Sequence, residues 1–372
     1  MKNTDNTYKD KDKIKYYATL GPSCCKRDTL IRLLQLGSNG FRLNLSHSRL
    51  ADCEDWICEL HLASSETNIE ADLLIDLQGP ELRIGTLINP IEIKKDELLI
   101  LVPNTKNKMN SLSQARKDKT DQSTTIEDNP GYAHLKRIPV PSQLLDYLKN
   151  KQTVRIDDGI YSFHVIDAEN HILRSSSHAI IQSRKSIFIE GISIPMPVLT
   201  SQDQENLSLC QKYGVTEVML PFVRSARDLQ QLRAYLNSHN LSHLKVYAKI
   251  ENEEGLDHLT EIIPCCDHIV IARGDLGNAL SLPKLPAAQK KISHICRQYH
   301  MPFMVVTQML HTMISSPMPS RAEVTDIFQA VLDGVSSLML TAETAVGSYP
   351  VEAMTYLINT AHEAILYKDS IL

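Results

Sequence analysis

Eight short apolar runs recur along the chain and constrain its fold more strongly than any other feature. Nearly continuous apolar runs of this length are typical of parallel strands that are buried on both faces. Helical patterns separate them, such as RDTLIRLLQLG at 27–37 with its glycine stop. The alternation predicts an α/β fold, a closed (β/α)8 TIM barrel, and leaves an open doubly wound sheet as the structural alternative. The runs are KIKYYATLG at 13–21, GFRLNLS at 40–46, LLIDLQG at 73–79, TEVMLPFV at 216–223, LKVYAKIE at 244–251, DHIVIARG at 267–274, PFMVVTQM at 302–309 and SSLMLTAE at 336–343.

The alternation of strand and helix patterns is interrupted between Pro80 and about Ile192, where strand-like segments follow one another. They include IEIKKDELLILV, QTVRIDDGIYSFHVID and AIIQSRKSIFIEG, which predict an inserted, mostly β domain. We expect this domain to act as a lid, because the βα-loops of a barrel surround its active face. Its polar middle, 104–131, is expected to be a mobile loop. The predicted organisation is a disordered lead-in at 1–12, a catalytic barrel at 13–79 and 193–372, and an inserted β lid domain at 80–192.

The composition argues against several classes of partner. A net charge of −5, from 39 basic and 44 acidic side chains in 372 residues, gives no overall attraction for nucleic acid or an anionic membrane. No stretch approaches the roughly 18 apolar residues of a membrane span, and the polar N-terminal segment carries no apolar signal. We therefore expect a cytoplasmic protein whose eight cysteines are reduced thiols.

A cation and two carboxylates stand where two neighbouring strands are predicted to end. Lys249 and Glu251 are two residues apart and so point the same way in a strand, while Asp275 follows the apolar run HIVIA. Carboxyl ends of parallel strands share one crevice, so these side chains are expected to meet. Two carboxylates suit Mg²⁺ or Mn²⁺. A salt-bridged surface strand end is the alternative for the lysine–glutamate pair.

Polar side chains also follow the second and third apolar runs. Arg42, Asn44 and Ser46 share a face by the strand period of two, and the arginine is suited to forking onto a phosphate. A buried structural pair between Arg42 and Asp76 is the alternative. The oxygens of Asn44, Ser46 and Asp76 could hold a monovalent cation or simply be hydrogen-bonded strand polars.

Two further segments carry weaker signals. Thr307 at the end of MVVTQM is either a β-branched strand residue or a site residue on the seventh strand. The run SPMPSRAEVTD at 316–326 predicts a helix start of the Ser-x-x-Glu type, with substrate contact as the bolder interpretation. The loop IDDG at 156–159 is interpreted as an ordinary hairpin turn.

Taken in order, the motifs of this chain resemble those of the pyruvate kinase family over nearly its whole length. The resemblance implies a (β/α)8 barrel with a β lid domain inserted after the third strand, in agreement with the pattern of apolar runs. The matching blocks are TLGPS at 19–23, RLNLSH at 42–47, IDLQGPELRIG at 75–85, AKIEN at 248–252, IARGDLG at 271–277, VVTQML at 305–310, PSRAEVTD at 319–326 and MLTAETAVGSYPVEA at 339–353.

The resemblance also implies roles for individual residues in moving the phosphoryl group of phosphoenolpyruvate to ADP, which leaves pyruvate and ATP in glycolysis. Lys249 would stabilise the group in transfer, Arg42 would hold the phosphate, and Thr307 would be linked to enolate protonation. The remaining implied roles are Mg²⁺ ligation by Glu251 and Asp275, a backbone facing the substrate carboxylate at Ala272, Arg273 and Gly274, nucleotide contacts at His47, Arg83 and Lys185, and a K⁺ site at Asn44, Ser46, Asp76 and the carbonyl of Leu77.

The chain departs from the family pattern in several places. It ends soon after the eighth strand and one helix, so we expect a short form without the C-terminal regulatory domain and without effector-domain allostery. Ser48 replaces a usual glycine, and Thr341-Ala342 replaces a usual Ser-Gly. Glu81 resembles potassium-requiring members, whereas Leu77, Gln78 and Ile84 resemble members that dispense with the ion. A homo-oligomer formed through the barrel is compatible with the sequence.

Two other functions compete with an active pyruvate kinase. One is a metal-dependent lyase or mutase that acts on an enolate without a nucleotide, which the presence of Arg83 and Lys185 disfavours. The other is a catalytically impaired protein with a binding or regulatory role, suggested by the short chain and the loop changes.

Overall fold

A computed structural model describes residues 14–46, 48–104, 132, 134–157, 159–192, 194–280 and 282–371. The expected lead-in at 1–12, nearly all of the expected loop at 104–131, and the predicted nucleotide contact His47 lie outside the described residues.

Sixteen strands and thirteen α-helices follow one another along the described residues. The strands are β1 (Lys15–Thr19), β2 (Ser38–Asn44), β3 (Asp72–Asp76), β4 (Ile91–Ile93), β5 (Leu98–Pro103), β6 (Lys136–Val140), β7 (Thr153–Ile156), β8 (Tyr161–Asp167), β9 (Ile172–Ser175), β10 (Ala179–Ile181), β11 (Ile187–Ile189), β12 (Glu217–Leu220), β13 (Lys245–Ile250), β14 (His268–Ala272), β15 (Phe303–Val306) and β16 (Ser337–Leu340). The helices are α1 (Arg27–Leu36), α2 (Glu54–Thr67), α3 (Ser142–Leu145), α4 (Ser201–Ser208), α5 (Cys210–Tyr213), α6 (Ala226–Ser238), α7 (Glu253–Asp257), α8 (Leu259–Ile262), α9 (Arg273–Ala279), α10 (Leu285–Gln298), α11 (Arg321–Leu332), α12 (Ala342–Ala345) and α13 (Pro350–Ile371).

Eight strands close into a barrel in the order β1, β16, β15, β14, β13, β12, β3 and β2, and every neighbouring pair is parallel. Each of the eight apolar runs overlaps one of these strands, so the predicted (β/α)8 barrel is confirmed and the open sheet is excluded. Because the strands are parallel, their carboxyl ends lie at one end of the barrel. In the register, Asn44 stands beside Asp76 and Lys249 beside Val270.

The helix α1 illustrates how the sequence builds the outer layer. Leu30, Leu33 and Leu34 recur at helical spacing and are buried against the barrel core. The helix ends at Gly37, which has φ 110° and donates its backbone N–H to the carbonyls of Leu33 and Leu34. Glycine tolerates this left-handed conformation at a helix end, which confirms the stop predicted from the sequence.

The interior of the barrel is filled by large side chains from alternate strand positions, including Tyr17, Leu74, Met219, Tyr247 and Met304. These residues form a layer of their own, separate from the larger core between the strands and the helices. The filled layer makes the barrel a packed core and separates the polar side chains at its two ends.

Five residues form a partly buried polar group at the N-terminal ends of the strands, which we call the N-terminal cluster. It consists of Lys15, Tyr17, Asp72, Glu217 and Tyr247. The Lys15 ammonium contacts Asp72 and lies 2.9 Å from Oε1 of Glu217. The Tyr17 hydroxyl donates to Oε2 of Glu217 at 2.8 Å, and the Tyr247 hydroxyl donates to Oε1 at 3.0 Å. Both oxygens of the fully buried Glu217 therefore have donors.

The chain divides into two compact units, one of which contains the residues up to Pro80 and from Pro197 onward, and the other Glu81–Met196. The second unit holds a six-stranded sheet in the order β11, β7, β8, β9, β5 and β6, and a two-stranded sheet of β10 and β4. The first unit contains the barrel, so the inserted, mostly β domain is confirmed. A role for it as a lid stays a prediction.

Two predicted nucleotide contacts lie in the second unit, near its strand β11. Arg83 pairs with Glu81 at 2.6 Å and donates to the carbonyl of Arg184 at 2.8 Å. Lys185 pairs with Asp157 at 2.8 Å, directly after β7 in the turn predicted from the sequence. Both cations are thus held by carboxylates of their own unit.

Among the described residues, no helix combines the length and apolar character required to cross a membrane.

Candidate active site

Arg42 lies near the carboxyl end of β2 and is held from two sides. Its Nε and Nη2 donate to Oδ2 of Asp76 at 3.0 and 2.5 Å, and its Nη1 donates to Oγ1 of Thr19 at 3.2 Å. Arg42 and Asp76 are both buried. The ion pair that the sequence offered as an alternative is therefore present. The bonds to Asp76 and Thr19 use three of the five guanidinium N–H groups, and the other two remain for a further partner.

Lys249 lies on β13, and its ammonium contacts the same carboxylate. Its Nζ lies 3.4 Å from Oδ2 of Asp76 and 2.7 Å from Oε1 of Glu251. We call Arg42, Asp76, Lys249 and Glu251 the C-terminal cluster. Two cations and two carboxylates thus converge at the carboxyl ends of β2, β3 and β13, as the strand pattern predicts.

Two carboxylate oxygens of the C-terminal cluster are buried without a hydrogen-bond donor. They are Oδ1 of Asp76 and Oε1 of Glu251. The Lys249 ammonium is close to the second oxygen, but this ion-pair contact does not have hydrogen-bond geometry. The other oxygen of Glu251 accepts the backbone N–H of Phe222 at 2.7 Å. Buried anionic oxygens without donors are costly, and cations commonly satisfy them.

Opposing effects act on the pKa of Lys249. Burial by itself lowers that pKa, but the negative charges of Asp76, Glu251 and Asp275 outweigh burial and raise it above its ordinary value. The ammonium is therefore fully charged at neutral pH. A charged, fixed ammonium suits the stabilisation of a phosphoryl group.

The pKa of Glu251 is displaced toward neutrality. Burial raises it to about 7, the charge of Lys249 opposes that rise, and the charge of Asp275 adds to it. The group is thus poised between its neutral and ionised forms in the protein alone. A divalent cation beside it would favour the carboxylate.

Asp275 lies in the first turn of α9 and interacts electrostatically with both Lys249 and Glu251. Across the described residues, no group of three or more His, Cys, Asp or Glu side chains is arranged to hold a metal ion. Mg²⁺ keeps several water ligands and binds one or two carboxylates together with substrate oxygens. The two carboxylates fit that requirement, since Oε1 of Glu251 is buried and has only its ion-pair contact with Lys249.

The predicted substrate-facing backbone runs from the last residue of β14 into α9. A Cβ placed on Gly274 would lie 3.0 Å from Cγ2 of Thr307, so a larger residue would press on that side chain. The Arg273 side chain is engaged elsewhere: its Nη1 lies 2.5 Å from Oδ2 of Asp326. The prediction for Ala272, Arg273 and Gly274 therefore concerns backbone groups only.

Thr307 lies one residue beyond β15, with φ 79°. This left-handed conformation is unusual for a β-branched residue, so Thr307 is not the simple strand residue offered as an alternative. Its carbonyl accepts two bonds from Arg273, at 3.1 Å from Nε and 2.8 Å from Nη2.

The predicted potassium ligands lie around the end of β2 and β3. Asn44 stands beside Asp76 in the register, and its Oδ1 accepts the backbone N–H of Ser46 at 3.2 Å. The backbone N–H of Leu77 donates to the carbonyl of Met219 at 3.1 Å. A K⁺ site at these residues stays a prediction.

Three polar residues of the same end of the barrel received no role from the sequence. Thr19 accepts a bond from Arg42, and Asp326 pairs with Arg273. Glu343 is buried and accepts the backbone N–H groups of Leu310 and Thr341 at 3.1 and 2.8 Å. The sequence feature that could have identified them is a polar residue within one of the family-like motifs, at a strand end or on the following helix. The predicted Ser-x-x-Glu start is present as a capping box between Ser320 and Glu323.

The chain matches a family model described as pyruvate kinase, barrel domain, over residues 11–354. It is 32% identical over 365 residues to a pyruvate kinase of Borreliella burgdorferi, which covers 96% of this chain and 70% of that relative. The identity to a pyruvate kinase of Geobacillus stearothermophilus is 30% over 367 residues, 97% of this chain and 58% of the relative. The identity to a pyruvate kinase of Chlamydia muridarum is 31% over 342 residues, which are 91% of this chain and 66% of the relative. The chain thus spans between 58% and 70% of the length of these relatives.

Proposed function

This chain belongs to the pyruvate kinase family, and on that premise we propose that it transfers the phosphoryl group of phosphoenolpyruvate to ADP, giving pyruvate and ATP. The observation that carries the proposal is the C-terminal cluster, in which two cations stand beside two buried carboxylate oxygens that have no hydrogen-bond donor. Such an arrangement suits a phosphorylated anion and a metal ion together.

Arg42 and Lys249 are proposed to hold the phosphoryl group. Three guanidinium N–H groups of Arg42 are used by Asp76 and Thr19, and the remaining donors are available to phosphate oxygens. The raised pKa of Lys249 keeps its ammonium charged beside the group in transfer. Transfer of a phosphoryl group needs mainly positioning and neutralisation of its oxygens, which these two cations supply.

We propose that Glu251 and Asp275 bind Mg²⁺, with Mn²⁺ as a substitute. When bound, the metal supplies charge neutralisation at the phosphate and enolate oxygens. Support comes from the buried Oε1 of Glu251 and from the electrostatic interaction between the two carboxylates. A K⁺ ion is proposed at Asn44, Ser46, Asp76 and the carbonyl of Leu77, supported by the buried Oδ1 of Asp76.

The backbone of Ala272, Arg273 and Gly274 is proposed to face the substrate carboxylate, and Thr307 to take part in protonation of the enolate. The missing Cβ of Gly274 supports the two assignments together, because it lets the Thr307 side chain lie against this backbone. Once the phosphoryl group has left, the enolate gains a proton on C3 and becomes the ketone of pyruvate. The hydroxyl of Thr307 is proposed to belong to the relay that delivers that proton.

ADP is proposed to contact His47, Arg83 and Lys185, and the reaction is proposed to serve glycolysis in the cytoplasm. A homo-oligomer formed through the barrel belongs to the same proposal. The contacts of Arg83 and Lys185 with carboxylates of their own unit mean that both side chains would exchange an internal partner for phosphate oxygens.

An assay that couples pyruvate formation to lactate dehydrogenase tests the proposal directly, with phosphoenolpyruvate, ADP, Mg²⁺ and K⁺ present. We expect turnover in the unmodified protein and a loss of about 10³-fold in Lys249→Met, because one charged donor to the transition state is removed. Lys290→Met is the matched control, since Lys290 is an exposed lysine paired with Asp333 at 2.5 Å.

A folded protein without turnover would contradict the proposal. Calorimetry with ADP then separates the alternatives, because a lyase or mutase would not bind the nucleotide and a non-catalytic descendant of the kinase could retain that binding.

A further inference from the structure

Two consecutive residues after β15 have left-handed backbone conformations. Thr307 has φ 79° and Gln308 has φ 55°. Such conformations cost roughly 1–3 kcal/mol for residues other than glycine and persist only where the surroundings impose them. The turn from Thr307 to Met309 is therefore held by other parts of the molecule.

The Arg273 side chain supplies that restraint. Its Nε and Nη2 donate to the carbonyl of Thr307, and Nη2 also donates to the carbonyl of Gln308 at 3.2 Å. The same nitrogen lies 3.0 Å from the sulfur of Met309. One guanidinium thus contacts all three residues of the turn.

The guanidinium is anchored from the opposite side by Asp326 on α11, at 2.5 Å from Nη1. The side chain of Arg273 is only 10% exposed. A planar fork fixed by a carboxylate at one end can impose a definite geometry on the carbonyls at its other end. A lysine, with one nitrogen, has no such fork.

The turn from Thr307 to Met309 also sets the position of the Thr307 side chain. A Cβ placed on Gly274 would lie 3.0 Å from Cγ2 and 3.8 Å from Oγ1 of Thr307. The threonine side chain therefore rests against the glycine that follows Arg273. The same arginine thus links two segments at the candidate active site, the start of α9 and the end of β15.

We propose that Arg273 is a positioning residue, whose side chain holds Thr307 in the geometry required for proton delivery to the enolate. This inference rests on the proposed function and extends it, because it gives the side chain of Arg273 a task separate from that of its backbone. In the step concerned, a proton from solvent passes through the Thr307 hydroxyl to C3 of the enolate. The hydroxyl regains a proton from water, the enolate double bond supplies the electrons of the new C–H bond, and the C2–O bond becomes the carbonyl.

The test is Arg273→Lys, which keeps the charge and removes the fork. We expect exchange of the methyl hydrogens of pyruvate with solvent to slow by about tenfold to a hundredfold, as for a misplaced catalytic group. The KM for phosphoenolpyruvate should stay within about twofold, because backbone and cationic contacts are unchanged. Unchanged exchange, or a KM that rises as much as exchange falls, would overturn the proposal.

A double-mutant cycle with Thr307→Ala shows whether the arginine acts through the threonine. Once Thr307→Ala has removed the hydroxyl, Arg273→Lys should slow exchange by less than about twofold more. Independent, multiplying effects would contradict the proposal. Arg233→Lys is the matched control, because Arg233 also binds a carbonyl, that of Leu244, and a carboxylate, that of Asp267, away from Thr307.

If Arg273→Lys does not fold, Asp326→Asn weakens the anchor while keeping a polar partner. In this variant we expect exchange to slow by a smaller factor than in Arg273→Lys, at a constant KM. No change in exchange would overturn the proposal.

The γ-methyl resonance of Thr307, assigned by its loss in Thr307→Ser, separates this inference from the proposed function. It should move in Arg273→Lys and stay in place in Arg233→Lys, whether or not the protein has kinase activity. A displaced resonance in a protein without turnover would leave the restraint intact and reject the kinase. An unmoved resonance in an active enzyme would reject the positioning role alone.

Discussion

The barrel carries a charged cluster at each end, and the two differ in how completely their oxygens are paired. In the N-terminal cluster, Glu217 is fully buried and both of its oxygens accept hydrogen bonds. In the C-terminal cluster, Oδ1 of Asp76 is buried without a donor, and Oε1 of Glu251 has only an ion-pair contact with Lys249. Both clusters contain a lysine between two carboxylates, so charge alone does not distinguish them.

The two clusters differ in where a ligand is expected to bind. A network whose groups are all satisfied gains nothing from a further cation and acts on the stability of the fold. In the C-terminal cluster, Oδ1 of Asp76 has no donor and Oε1 of Glu251 has only its ion-pair contact with Lys249, so a further cation would compensate incomplete pairing. Substitutions at the two ends should therefore separate stability from activity.

The largest effect is expected for Glu251→Gln in the C-terminal cluster. Turnover in the coupled assay should fall by about 10³-fold, because a proposed metal ligand is lost. The free energy of unfolding should fall by less than in the next variant, because burial raises the pKa of Glu251 to about 7 and so offsets part of its ion pair with Lys249. Urea unfolding in the absence of Mg²⁺ measures this second quantity. A stability loss as large as that of the next variant would contradict the difference between the two clusters.

Glu217→Gln in the N-terminal cluster should behave in the opposite way. The free energy of unfolding should fall by about 3 kcal/mol, because a buried, fully bonded carboxylate is removed from beside Lys15. Turnover should be unaltered at temperatures where the variant is folded. Glu59→Gln breaks a half-exposed pair with Arg27 and serves as control, with a loss well below that of Glu217→Gln.

The pH dependence of stability should differ between the unmodified protein and Glu251→Gln. Because the folded-state pKa of Glu251 is raised to about 7, the folded protein binds more protons than the unfolded chain below that pH. Its contribution is fully present near pH 4 and is lost as the pH rises through 7. Relative to the variant, the protein should lose about 2 kcal/mol of unfolding free energy between pH 5 and pH 8 without Mg²⁺. A difference that stays constant would show that Glu251 is ionised throughout.

The smallest effect is expected for Tyr17→Phe. The hydroxyl that donates to Oε2 of Glu217 is lost, so the unfolding free energy should fall by about 1 kcal/mol while turnover is unchanged. Tyr299→Phe, at a half-exposed tyrosine, should change stability by less than about 0.5 kcal/mol. A loss of turnover in Tyr17→Phe at full folding would link the N-terminal cluster to the chemistry.

Much of the fold was readable from the sequence because its signals are local. The run HIVIA became β14, and the glycine stop at Gly37 and the Ser320 capping box depend on residues within one helical turn. Strand ends were less accurate: the run at 302–309 contains a strand that stops at Val306. An apolar run does not show where the backbone leaves the strand.

The site was readable only in part. The meeting of Lys249 and Glu251 follows from their spacing on one strand. The conformation of Thr307 did not follow, because Arg273 and Asp326 impose it from other elements. The incomplete hydrogen bonding of Asp76 and Glu251 could not be predicted either, because it depends on packing across three strands.

Ligand-dependent stability tests the contrast between the two clusters most directly. Thermal unfolding is followed with and without Mg²⁺ plus phosphoenolpyruvate in the unmodified protein, Glu217→Gln and Glu251→Gln. We predict that these ligands raise the Tm of the unmodified protein and of Glu217→Gln by similar amounts and leave that of Glu251→Gln nearly unchanged. An equal rise in Glu251→Gln, or the loss of the rise in Glu217→Gln alone, would contradict the assignment of the ligand site to the C-terminal cluster.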